Sequence, residues 1–172
     1  MRRVGLIAVG LVLFLALPLG AGERFVDNGD GTVTDTQTGL MWTSSDNMGD
    51  ITWHDARDYC RMPPVAGYRW TNWRMPTVEE LKTLYDPKAE GYESDCGLKV
   101  RVPLAIQLSC AWVWAAEESG IMGYVFDFGH GIHYSTLKFQ KKGYRALAVR
   151  SCLLYTSPSP RDLSTPRMPS SA

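Results

Sequence analysis

RFVDNGDGTVTDTQTGLMW, residues 24–42, reads as short strands joined by tight turns. Asp30-Gly31 and Thr38-Gly39 offer the positive-φ positions that such turns need, and Thr32, Val33 and Thr34 favour a strand. The aspartates invite comparison with a calcium loop. That loop needs oxygen ligands at alternate positions, and counting from Asp27 puts Gly29 and Gly31 there. The aspartates are therefore read as turn residues, which bond to backbone N–H groups two positions on.

Outward from this start, two helices follow. Thr52 caps a segment running from Trp53 to Cys60, with Asp55 three residues on, and Trp53, Ala56 and Cys60 share one face with Tyr59 alongside. Thr77 and Glu80 form the two halves of a capping box for a second helix whose apolar stripe is Val78, Leu81 and Leu84, ended by Pro87. Arg74 is expected to pair with Glu79, Glu80 or a backbone carbonyl. Beyond residue 90 the pattern turns to strands: Ala111–Ala115, Gly123–Phe128, a tight turn at Gly129-His130-Gly131, a return over Ile132–Ser135, and a last strand from Tyr144 to Val149. Strands, two helices, then antiparallel strands is an α+β order.

Both ends differ from this 129-residue centre. Arg2 and Arg3, an apolar run from Val4 to Leu19 and the small residues Gly20, Ala21 and Gly22 match a signal peptide over 1–22. The alternative is an uncleaved anchor, for which the 16-residue run is short. At the other end, 11 of the 21 residues in 152–172 are Ser, Thr or Pro, a disordered composition. The text CLLYTSPSPRDLSTPRMPSSA resembles a translated sequencing adapter. Setting both ends aside removes four Lys/Arg and one Asp from the 18 of each sign, leaving 14 basic and 17 acidic residues over 23–151. A net charge of −3 excludes a strongly basic nucleic-acid binder. Export places the domain in the periplasm or outside the cell, with no membrane attachment after signal cleavage, where an even count of four cysteines suggests disulfides. Cys96 and Cys110, flanking a 13-residue segment, are the expected local bridge. Cys60 is then free, buried or paired with Cys152.

The opening motif 25–35, then Thr38-Gly39-Leu40-Met41-Trp42, Trp73-Arg74-Met75-Pro76-Thr77 with Glu80-Leu81, Val113-Trp114 and Arg145-Ala146-Leu147-Ala148-Val149-Arg150 together resemble the Lcl C-terminal-domain-like family, domain-of-unknown-function family 1566. The resemblance covers residues 25–150. It implies an architecture similar to the C-type-lectin-like and sulfatase-modifying-factor folds, with a twisted antiparallel sheet and two helices. It also implies an exported bacterial protein, and the family includes an adhesin that recognises sulfated glycans through basic patches.

Chemistry-bearing residues are sparse. His130 and His133, with Asp127 nearby, lack a third ligand for a metal site, and neither a G-x-S-x-G elbow nor a C-x-x-C pair occurs. No cofactor is expected. Cys96 and Cys110 do not stand where the paired cysteines of formylglycine-generating enzymes stand relative to 145–150. Of the six tryptophans, Trp42, Trp53, Trp73, Trp112 and Trp114 occupy strand, helix or motif positions and are expected in the core. Trp70 lies outside these and is the expected exposed platform. Ligand contact is therefore expected on two loops carrying Tyr68, Arg69, Trp70 and Asn72, and His130 and His133. The expected function is non-catalytic binding of a glycan or an envelope protein. An enzyme of the sulfatase-modifying type and a structural envelope subunit are the alternatives.

Overall fold

In the computed structural model residues 23–65 and 72–152 are described. Turn chemistry builds the first sheet. Asp27 Oδ1 accepts the Gly29 N–H at 2.9 Å and Asp30 Oδ1 accepts that of Thr32 at 3.1 Å, with Gly31 at φ 86°. These bends fold β1 (Phe25–Asp27) onto β2 (Thr32–Asp35), and the turn at Gly39 leads into β3 (Leu40–Thr43). The aspartates thus serve turns, as their spacing suggests.

Both helices start where their caps predict. Helix α1 (Trp53–Arg61) begins with Thr52 Oγ1 accepting the Asp55 N–H, and α2 (Val78–Leu84) carries the full Thr77–Glu80 capping box. Two Arg74 nitrogens donate to the Glu80 carboxylate at 2.7 and 2.5 Å, so Glu80 serves both the cap and an ion pair. The hairpin β4 (Tyr92–Glu93) and β5 (Lys99–Val100) is tied to the following chain by the Cys96–Cys110 disulfide, Cα–Cα 5.3 Å. The expected bridge is present. Cys60 and Cys152 are both free thiols, Cys60 buried and Cys152 half-buried.

The second sheet has the order β8-β7-β6-β9, from β6 (Trp112–Ser119), β7 (Met122–Asp127), β8 (Ile132–Leu137) and β9 (Tyr144–Arg145). Its central strands are apolar on both faces because both faces are covered. Val113, Ala115 and Phe126 pack into one cluster with Val78, Leu81 and Leu84 of α2. Their alternates Trp114 and Val125 pack into another with Trp53, Ala56 and Cys60 of α1. Helix α1 lies close enough that a Cβ on Gly123 would fall 2.5 Å from the Trp53 ring. The architecture is α+β, with two helices and mainly antiparallel sheets.

Two expectations are corrected. Residues 144–149 are not one strand. Tyr144–Arg145 pairs parallel to β6, whereas β10 (Val149–Ser151) pairs antiparallel to β3 in the first sheet, giving the order β1-β2-β3-β10. The buried residues between them alternate, Leu147 joining one cluster and Ala146 and Ala148 the other, so this segment crosses between the sheets through the core. The second correction is Trp112. Trp42, Trp53, Trp73 and Trp114 are buried, but Trp112 is only half-buried, with one side open to a cleft.

Among the described residues no helix is long and apolar enough to cross a membrane. The signal-peptide reading of 1–22 and, apart from Cys152, the tail reading of 152–172 lie outside the described residues.

Candidate functional site

The cleft beside Trp112 has a volume of about 300 Å³ and is walled by Lys99 and Arg101 on one side and Asp127, Gly129 and His130 on the other. Each wall follows from local sequence. In Lys99-Val100-Arg101-Val102 the valines alternate into the core, at 0 and 4 % exposure, which leaves the two cations on the outer side. The Arg101 guanidinium donates to the Gly129 carbonyl, and the Arg101 N–H donates to Phe128 O at 3.1 Å, so the two walls are stitched together.

Asp127 organises the turn above. Its Oδ1 accepts the Gly129 N–H at 2.7 Å and its Oδ2 lies 2.9 Å from His130 Nδ1. An ionised carboxylate only accepts, so Nδ1 carries the proton and Nε2 is left for solvent or a ligand. Trp112 forms the floor. Its ring leans on Tyr144 at a centroid distance of 5.7 Å and is backed by Gly143, where a Cβ would stand 3.0 Å from the ring.

A larger groove of about 740 Å³ lies on the far side of residues 99–104, lined by Phe25, Tyr85, Tyr92, Val102 and Leu104 with Asp86 and Glu90. One segment therefore divides the two concavities: Lys99 and Arg101 face the cleft, Val102 and Leu104 the groove. Gly131 at the hairpin turn (φ 71°) seats directly on Tyr85, since a Cβ there would overlap its ring at 2.2 Å.

Of the expected site residues, His130 alone among the described ones lines either concavity. His133 is exposed on β8 with its ring 6.4 Å from that of Tyr124, outside the cleft. Asn72 is exposed in the left-handed region at φ 54°, next to the Arg74–Val149 bridge of the first sheet. Asn72 thus stands beside the first sheet, whereas His130 lies in the turn between β7 and β8 and His133 on β8 of the second. Tyr68, Arg69 and Trp70 lie outside the described residues. Sequence reading missed Lys99, Arg101 and Trp112 as site residues. The alternation over 99–102 was a usable signal for the two cations, while nothing local marks Trp112 as half-open.

Burial pushes the Cys60 thiol far above its ordinary range, and its Sγ donates to Leu147 O at 3.4 Å. Burial also raises Asp46, against the lowering effect of N–H groups from Met48 and Ser109 and of the Ser109 hydroxyl. That carboxylate belongs to a structural network in which Arg145 Nε donates to Ser109 Oγ at 2.6 Å and Arg145 also reaches Asp50 at 2.8 Å. Among the described residues no group of three or more His, Cys, Asp or Glu is arranged to hold a metal ion.

No curated protein matches the chain. A family model described as the Lcl C-terminal domain does match it, over residues 31–150. That span takes in β2 and β3 of the first sheet, both helices, the Trp112 cleft and the segment crossing between the sheets, and the chain belongs to the Lcl C-terminal domain family.

Proposed function

We propose that this protein is an exported, non-catalytic binding module that recognises an extracellular or cell-envelope glycan bearing acidic groups, through the Trp112 cleft. The observation that carries the reading is the combination of an aromatic floor with Lys99, Arg101 and a carboxylate-aimed His130 around one small concavity. A tryptophan ring covers the apolar face of a sugar, and cationic donors at its edge bind hydroxyl or acidic substituents. The cleft's local positive edge does this within a domain of net charge −3. The Cys96–Cys110 disulfide accords with an oxidising compartment, periplasmic or external.

Support for a binding rather than a catalytic role comes from the cysteines. Nucleophilic cysteine chemistry needs an accessible thiolate. Cys60 is buried with its thiol held protonated, and Cys96 and Cys110 are bonded to each other.

A glycan array probed with the full chain tests the proposal. Acidic glycans are expected to be retained, with retention falling as salt rises. Trp112→Ala is expected to lose roughly tenfold in affinity, a change of about 1.4 kcal/mol. Retention of no glycan, or unchanged binding by the variant, would overturn it.

A further inference from the structure

The geometry points to a second ligand site, the groove on the other side of residues 99–104, which takes a small organic ligand carrying a protonated amine on an apolar or ring-shaped frame, such as an unacetylated amino sugar. This inference does not rest on the glycan reading of the Trp112 cleft, from which it differs in place and in charge.

The groove's size comes first. At about 740 Å³ it falls within the range of small-ligand sites, which enclose roughly 300–1,000 Å³ and are mostly apolar with a few polar groups. Its apolar surface is supplied by Phe25, Tyr85, Tyr92 and Leu104. The two tyrosines are fixed. The Tyr92 hydroxyl donates to Leu108 O at 3.1 Å and accepts the Leu108 N–H at 2.6 Å, so its ring is held in place and its polar tip is already occupied. Tyr85 is clamped between Gly131 and the edge of Phe126, centroids 6.1 Å apart.

Charge then selects the ligand. Arg24, among the described residues the one cation lining the groove, spends its guanidinium on Asp35 at 3.0 and 2.8 Å and on Thr83 O at 3.1 Å. The carboxylates Asp86 and Glu90 are exposed and, among the described residues, take part in no ion pair. Asp86 uses Oδ1 to accept the Lys88 N–H at 2.9 Å, leaving Oδ2 available. An aromatic-lined groove whose unbalanced charges are two carboxylates complements a cation, and tyrosine faces attract one as well.

Calorimetric titration of the full chain with a glucosamine tetrasaccharide, its N-acetylated counterpart and trilysine decides the matter. The amine form is expected to bind at least about fivefold more tightly than the acetylated form, and the double variant Asp86→Asn/Glu90→Gln to lose a similar factor at unchanged Tm. Trp112→Ala is expected to leave this binding intact. Equal binding of the two sugars, or full affinity in the double variant, would overturn the site. Tighter binding of trilysine would replace the sugar with a basic peptide. Loss of amine binding in Trp112→Ala would show one shared site and refute a separate groove, whatever becomes of the glycan-array result.

Discussion

His130 keeps Nδ1 2.9 Å from Oδ2 of Asp127 although its own side chain is 77 % exposed and that of Asp127 only 9 %. A buried carboxylate thus aims an imidazole that faces solvent. Removing His130 should leave Tm within about 2 °C, since little surface is uncovered, while glycan affinity falls severalfold. Asp127→Asn keeps an acceptor for Gly129 but presents N–H₂ to His130, so it should cost about 1–2 kcal/mol of stability and match the binding loss of His130→Ala. Full affinity in Asp127→Asn beside a loss in His130→Ala would mean that the carboxylate does not position the ring.

Adjacent tryptophans should behave oppositely. Trp114 is fully buried and its Nε1 donates to Ile51 O at 2.9 Å, so Trp114→Ala should cost about 3–5 kcal/mol and broaden or abolish the thermal transition. Trp112→Ala should cost clearly less and act chiefly on binding. Chemical denaturation of both variants checks the contrast, and similar losses would place Trp112 in the core after all.

The Cys96–Cys110 bridge closes a loop of about 15 residues, worth roughly 3 kcal/mol in the chain-entropy picture. Because that loop holds Gly97, Leu98 and Lys99, reduction or the double serine variant should weaken glycan retention as well as lower Tm. A fall in Tm with binding unchanged would show that β4 and β5 hold the cleft wall without the bridge.

Acid stability should depend on Asp35 and Glu80. Burial alone would raise both, but Arg24, Thr38 and the Gln37 N–H around Asp35, and Arg74 and Thr77 around Glu80, outweigh it and hold both below their ordinary values of 3.8 and 4.5. A lowered folded-state pKa adds stability that is fully present above those ordinary values and is lost as pH falls through the folded ones. Asp46 runs the other way, since its raised pKa makes ionisation costly as pH climbs from about 4. Asp35→Asn and Glu80→Gln should each lower stability at pH 7 and flatten its fall below pH 4, measured by urea titration across pH. An acid limb as steep as the parent's in both variants would exclude these two ion pairs as its cause.

The parts of this protein legible in its sequence are those made by neighbours in the chain. A Thr77 hydroxyl meets the Glu80 N–H, an Asp30 carboxylate meets the Thr32 N–H, and Cys96 meets Cys110, because short separations leave few alternatives and cost little entropy to close. The alternation of Trp112-Val113-Trp114-Ala115 likewise marks a strand covered on both sides. Which alternate residue stays half-open depends on what packs above it. Trp112 is backed by Gly143 and Tyr144, while the ring also lines the cleft formed with residues 97–101 and 127–130. The cleft joins Lys99, Trp112 and His130, and the groove joins Phe25, Tyr85 and Leu104. Neither is encoded by spacing, since each forms only when separate segments are brought together by burial of the two clusters, a non-directional force that leaves no local signature.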